Sequence, residues 1–273
     1  MAVLAAAFLF NLGQGALRPS LPLYLQGSFA ANYRMVTLIP VVFGAGKWVA
    51  SLPTGHLVER HGRALMIGGL LLIAIIDVAS VMTSTYGVFL GFRALGGVGW
   101  AMFATVATVR VVTVPAAQRR GRSVSVLLMS ESLGLLLGSA AGGWLYQGLG
   151  PTIPFVFEAA CMLVAAAVVA RSAALTTDRP PTPDGARGSA LSAVLRTPGV
   201  LLMGITNAAL IAIQTGVIVF LFPLYLSTRG LMSPEVVGLL VSLSVAGRLV
   251  ALWLGGAVSD RWGRMRALIP GLL

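Results

Sequence analysis

The chain has 273 residues, of which 57% are hydrophobic and 10% charged, and a formal net charge of +11. Soluble domains carry roughly 25% charged residues, and a globule this apolar would lack the polar surface to cover its core, so the composition excludes an ordinary water-soluble fold. The positive balance does not indicate nucleic acid, because thirteen of the 19 basic residues gather in or beside four short polar segments between apolar runs.

A helix that crosses a bilayer needs about 20 apolar residues, and eight stretches meet that need. They are expected over 3–25, 35–52, 65–82, 88–109, 124–146, 153–170, 200–226 and 236–254. A ninth starts at Ala267 and the chain stops at Leu273. The length of each run and the missing two-residue alternation predict helices rather than a barrel. Residues 1–10 lack the basic start of a signal peptide, so the first run is expected to be retained as a span. Cys161 is the one cysteine, which leaves no disulfide within the chain.

The basic segments fall after the second, fourth, sixth and eighth runs: Arg60 and Arg63; Arg110, Arg119, Arg120 and Arg122; Arg171, Arg179, Arg187 and Arg196; Arg261, Arg264 and Arg266. The alternate loops hold Arg34 and Arg229. This asymmetry follows the positive-inside rule and places the basic loops, and with them the N-terminus, in the cytoplasm. The stretch 172–199 is rich in Pro, Gly, Asp and Arg, too polar for lipid and too proline-broken to fold alone. It reads as a cytoplasmic linker between an N-terminal unit of six spans, 1–171, and an incomplete second unit, 200–273.

The second unit repeats the first. An offset of 201 carries Pro22–Leu25 (PLYL) onto Pro223–Leu226, Ala45–Ala50 (AGKWVA) onto Ala246–Ala251 (AGRLVA), and Gly55–Arg63 (GHLVERHGR) onto Gly256–Arg264 (GAVSDRWGR). Three matches in one register make chance a poor explanation. Parallel halves of this kind are one way in which transporters are duplicated.

The repeated loop resembles the signature loop of the major facilitator superfamily, a Gly, three residues, an acid, Arg, any residue, Gly, Arg. The resemblance implies an all-α, polytopic helical bundle in which the leading Gly lets helices approach and the acid and Arg pair across helices to hold one state. Those roles fall on Gly55, Glu59, Arg60, Gly62 and Arg63, and on Gly256, Asp260, Arg261, Gly263 and Arg264. The first copy departs in Glu59, where the family has Asp, and in His56. Arg93 with Gly96, Gly97 and Gly99 is similar to the family's fourth-helix motif, with Gly96 at a Gln position, and the family links that Arg to proton transfer. The other reading of Arg93 is a cation near the outer end that snorkels to water. Gly134, Gly138, Ser139, Gly142 and Gly143 resemble the motif of drug–proton antiporters, with Ser139 in place of a Pro. Spacing of four puts glycines on one stripe, which permits close helix packing in many membrane proteins.

Polar side chains inside the spans supply the remaining candidates. Asn11, Gln14 and Arg18 share one face of the first span, and Asn207 and Gln214 share one of the seventh. The resemblance makes both stripes candidate substrate contacts in a central cavity. Asp77, Glu131 and Glu158 lie in spans, where a carboxyl group is costly to ionise, as a proton carrier needs; Glu131, one turn before Gly134, is the first candidate. A structural pair with a buried Arg is the alternative for each. Lys47 and Arg248, equivalent in the repeat, are expected to snorkel. His56 and His61 lack further ligands, and no nucleotide-binding loop of the Walker type is present, so neither a metal nor a cofactor is expected.

The resulting expectation is a non-enzymatic, proton-driven exporter of a small organic molecule, a monomer in the cell membrane whose partners are substrate, protons and lipid. Uptake symport of a nutrient is one alternative. The family ordinarily has twelve spans, so the other is a truncated, non-transporting fragment, a sensor, or one part of a split protein.

Overall fold

The computed structural model describes residues 2–112, 117–172, 197–213, 216–217, 221–222, 225–226 and 233–262. The principal helices among them are α1 (Ala2–Phe29), α2 (Tyr33–Met82), α3 (Tyr86–Val112), α4 (Ala117–Leu149), α5 (Ile153–Arg171), α6 (Pro198–Ile213) and α7 (Pro234–Trp262). No described residue is in a strand. Helices long and apolar enough to cross a membrane cover Tyr33–Met82, Tyr86–Val112, Val124–Leu149 and Ile153–Arg171. α1 is 28 residues long but is diluted by Asn11, Gln14, Arg18 and two internal prolines, Pro19 and Pro22.

The second and third expected spans are joined within α2, whose backbone departs from helical angles at His61 (φ −131°, ψ 24°). The chain turns back there. Phe43 on the first limb and Ile73 on the second pack against α3 two residues apart, at Gly97 and Gly99. A straight helix of 50 residues would extend about 75 Å at 1.5 Å per residue and could not bring both to one level. The loop expected over 53–64 is therefore mostly helix, because Leu57, Val58, Glu59 and Arg60 do not oppose helical geometry. Asn32 starts α2 by accepting a hydrogen bond from the Met35 amide at 3.0 Å, a side-chain cap. Gly150, at φ +118°, makes the turn from α4 into α5 in a conformation L side chains rarely adopt.

α1 packs against α4 and α5, α2 against α3 and α5, and α4 against α7. Two apolar layers result. One is centred on Ala6, Phe10, Met66, Leu70, Phe103 and Met162, and contains the stacked rings of Phe10 and Phe103 at 4.5 Å. The other joins Leu17, Tyr24, Leu25, Phe89 and Phe155. The residues between them in α1, α2, α3 and α5 are where polar groups interrupt the core. The linker residues 173–196, Gln214, Gly263 and Arg264 lie outside the described residues, as do the side chains of Asn207, Arg248, Asp260 and Arg261.

Candidate functional site: a buried charge layer

Arg93 sits in α3 between the two apolar layers and is 5% exposed. A cation at that position in lipid costs several kcal/mol unless it has partners. Its Nη2 donates to Asp77 Oδ1 at 2.9 Å and to Ser80 Oγ at 2.8 Å, both on the second limb of α2. Its guanidinium lies 5.3 Å from the Phe89 ring centroid and 5.7 Å from that of Phe155. Snorkelling is thereby overturned for Arg93, since the surrounding helices bury it and supply an anion.

Glu158 of α5 belongs to the same layer. It is 1% exposed, and Gln14 of α1 donates its side-chain amide to Glu158 Oε1 at 2.5 Å. Asp77, Arg93 and Arg18 all lie within electrostatic reach of it. Three polar atoms here are buried without a hydrogen-bond partner: Asp77 Oδ2, Arg93 Nε and Glu158 Oε2. Buried polar atoms normally have partners, so the layer holds unused bonding capacity for protons or water. Two carboxyl groups and one Arg, drawn from three helices, can trade one proton and one ion pair.

Not every candidate joins this layer. Glu131 is half-buried on α4 and has an interaction of its own. Asn11 spends its side-chain amide on its own helix, donating to Ala7 O at 2.9 Å. Gln14 and Arg18 are half-buried on α1. Lys47 does not snorkel: its Nζ lies 3.3 Å from the centroid of the Trp100 ring. Ser80 was missed by sequence reasoning, although its spacing of three from Asp77 places both on one helix face.

The glycine stripe of α4 is a backbone-to-backbone interface with α1. A Cβ added at Gly134, Gly138 or Gly142 would fall on the carbonyl oxygens of Phe8, Leu12 and Ala16 respectively. The two helices are also tied by Ser20 Oγ, which donates towards Ala16 O at 3.1 Å and Gly142 O at 3.0 Å. On its other side α4 meets α7, where Gly238 approaches the Ser139 carbonyl and Gly143. Ser242 of α7 donates to Leu136 O at 3.1 Å.

The signature loop is less uniform. Among the described residues nothing lies within 4 Å of a Cβ added at Gly55, so the close approach implied for that glycine is not seen. Gly62 instead seats the Arg110 guanidinium, 3.2 Å from an added Cβ. Arg63 donates to Ala170 O in the last turn of α5, a favourable place for a cation at a helix C-terminus. Arg60 is exposed and Glu59 is half-buried with an interaction of its own. In the second copy, Gly256, Asp260 and Arg261 continue the helical backbone of α7.

Comparison with known proteins gives the context. The family model of the Major Facilitator Superfamily matches residues 3–273. Over 270 residues the chain is 23% identical to the MFS-type transporter YcaD of Salmonella heidelberg (strain SL476), covering 98% of this chain and 68% of that protein. Over 165 residues it is 28% identical to Multidrug resistance protein 2 of Bacillus subtilis (strain 168), covering 60% of this chain and 41% of that protein. Among solved structures, a D-xylose-proton symporter superposes with a TM-score of 0.68 at 16% identity, over 95% of this chain and 68% of the other. A peptide transporter, POT, gives 0.57 at 17%, over 98% and 54%. The chain thus spans about two fifths of the Bacillus protein and about two thirds of the Salmonella one. The structural likenesses are to transporters rather than enzymes and show a shared fold.

Proposed function

Because the chain belongs to the major facilitator superfamily, we propose that it exports a small organic molecule in exchange for protons, and that the layer of Asp77, Arg93 and Glu158 couples the two movements. The observation that carries this reading is the Arg93–Asp77 ion pair at 2.9 Å, with side chains 6% and 1% exposed and Glu158 beside it. Protonation of Asp77 removes the anion that holds Arg93, and a buried cation left unpaired costs about 3–5 kcal/mol. Arg93 then gains by turning to Glu158, or α2 and α3 shift to admit water. A proton acts on the conformational equilibrium only through such differential binding. The 28% identity with a multidrug resistance protein supports export as the direction.

The rest of the assignment follows from chain organisation. Residues 1–171 form the N-terminal half, 172–199 a cytoplasmic linker and 200–273 part of the second half, with the N-terminus cytoplasmic by the positive-inside rule. The substrate wall is drawn from Gln14 and Arg18 of α1 with Asn11 beside them, and from Asn207 and Gln214 of the seventh span. The glycine stripe of α4 is a hinge between α1 and α7. Movement of substrate in everted vesicles under an imposed proton gradient tests the reading. Transport that ignores the gradient removes proton coupling, and transport running with the gradient's inward protons into the cell favours symport instead.

A further inference from the structure

Both ends of the charge layer are closed by apolar side chains. Towards the start of α3, the Phe89 and Phe155 rings close over Arg93, and Tyr24 packs on them at centroid distances of 6.1 and 4.8 Å. Towards the bend at His61, Phe10, Leu70, Phe103 and Met162 are each 2% exposed or less. The seams between helices are narrow as well. A Cβ added at Gly13 would lie 3.1 Å from Glu158 Cα, and one added at Gly99 would lie 2.7 Å from the Gly69 carbonyl oxygen. Such packing offers a charged proton carrier no favourable path, since a buried ion without partners costs several kcal/mol.

The polar edge of the layer lies on α1. Gln14 is half-buried, and its amide reaches Glu158 Oε1 at 2.5 Å. α1 packs chiefly against α4 and α5, whereas Asp77 belongs to α2 and spends its Oδ1 on Arg93. A proton arriving from the α1 face therefore meets Glu158 of α5 before it meets Asp77. The charged and titratable groups that face Glu158 are Arg18 of α1, Asp77 of α2, Arg93 of α3 and Cys161, one turn along α5. Resting on the reading of this layer as the coupling site, we infer that protons enter it sideways past Gln14, that Glu158 takes them first, and that Asp77 receives them from Glu158. The oxygens concerned, Glu158 Oε2 and Asp77 Oδ2, are the two that lack hydrogen-bond partners. Hydronium gives its proton to Glu158 Oε2 and leaves as water. Glu158 then passes that proton to Asp77 Oδ2 and is ionised again. This order leaves an anion at Glu158 at the moment Arg93 loses its own, so the cation changes partner without being left unpaired. Gln14 is a positioning residue here, holding the carboxyl group at the entrance.

Time-resolved infrared spectroscopy of the purified full chain in detergent, after a stopped-flow drop in pH, tests this. Asp77→Asn and Glu158→Gln assign the two carboxyl bands. Glu158→Gln is expected to slow the rise of the Asp77 band about tenfold, the effect of ~1.4 kcal/mol on a barrier. Asp77→Asn is expected to leave the rate at Glu158 unchanged. Gln14→Leu should slow both bands and Gln14→Asn should restore part of the rate, with helix content and monodispersity unchanged. Tyr24→Phe, at the aromatic end, should alter neither rate. An Asp77 band that keeps its rate in Glu158→Gln, or a Glu158 band slowed in Asp77→Asn, overturns the order and leaves the coupling reading standing. Slowing by Tyr24→Phe, or wild-type rates in Gln14→Leu, overturns the entrance. A wild type without any titrating carboxyl band overturns the coupling reading and the inference together.

Discussion

Gln14 of α1 donates its amide to Glu158 of α5 at 2.5 Å, which ties the half-buried polar face of α1 to the buried charge layer. A ligand that displaces Gln14 alters the surroundings of a carboxyl group 1% exposed. In the proposed mechanism, substrate side and proton side are therefore one hydrogen bond apart.

Gln14→Ala should expose that dependence. It leaves Glu158 Oε1 without its donor, beside an Oε2 that already has none. Orphaning a buried acceptor costs about 1–3 kcal/mol. Thermal unfolding in detergent should show a lowered midpoint for Gln14→Ala, and Gln14→Glu paired with Glu158→Gln should recover part of it.

The Arg93–Asp77 pair should behave as a unit. Asp77→Ala alone is expected to destabilise by about 3–5 kcal/mol, because Arg93 remains buried and unpaired. The double variant Asp77→Leu with Arg93→Leu should be more stable than Asp77→Ala while losing function. A double-mutant cycle measures the coupling, and additive effects would show that the pair is not an energetic unit.

The α4 stripe predicts a sharp contrast between glycines. Gly138→Ala and Gly142→Ala place a methyl on backbone carbonyls of α1, which cannot rotate away. Each should cost about 1–3 kcal/mol by forcing the helices apart. Gly55→Ala meets nothing within 4 Å among the described residues and should leave stability unchanged. Cysteine cross-linking between α1 and α4 would register the separation directly.

Arg63→Ala removes the donor to Ala170 O, together with a cation at the C-terminus of α5. A loss of about 0.5–1.5 kcal/mol is expected. Amide exchange should accelerate in the last turn of α5, and Arg63→Lys should restore only part of the protection because its point charge cannot reproduce the fork.

Much of this was legible in the residues themselves. Apolar runs located α1, α3, α4 and α5, and the spacing of Gly134, Gly138 and Gly142 announced a close helix contact. Partner choice was not legible. Arg93 and Asp77 sit on neighbouring helices whose register is set by Gly99 against Ile73, a tertiary packing that no local pattern encodes. Glu131 was chosen for its closeness in sequence to the stripe, and the stripe itself serves α1 backbone. Lys47 was read from its place in the repeat alone, whereas the position of Trp100 on α3 decides where its ammonium goes.

The central claim is that a proton is held in the layer of Asp77 and Glu158. Infrared difference spectroscopy of the protonated carboxyl stretch, recorded as the pH of the purified chain is stepped, tests this most directly. A titrating band is predicted in the wild type and in Glu131→Gln, and should vanish when Asp77→Asn is combined with Glu158→Gln. A band that survives in that double variant, or one lost in Glu131→Gln, would contradict the account.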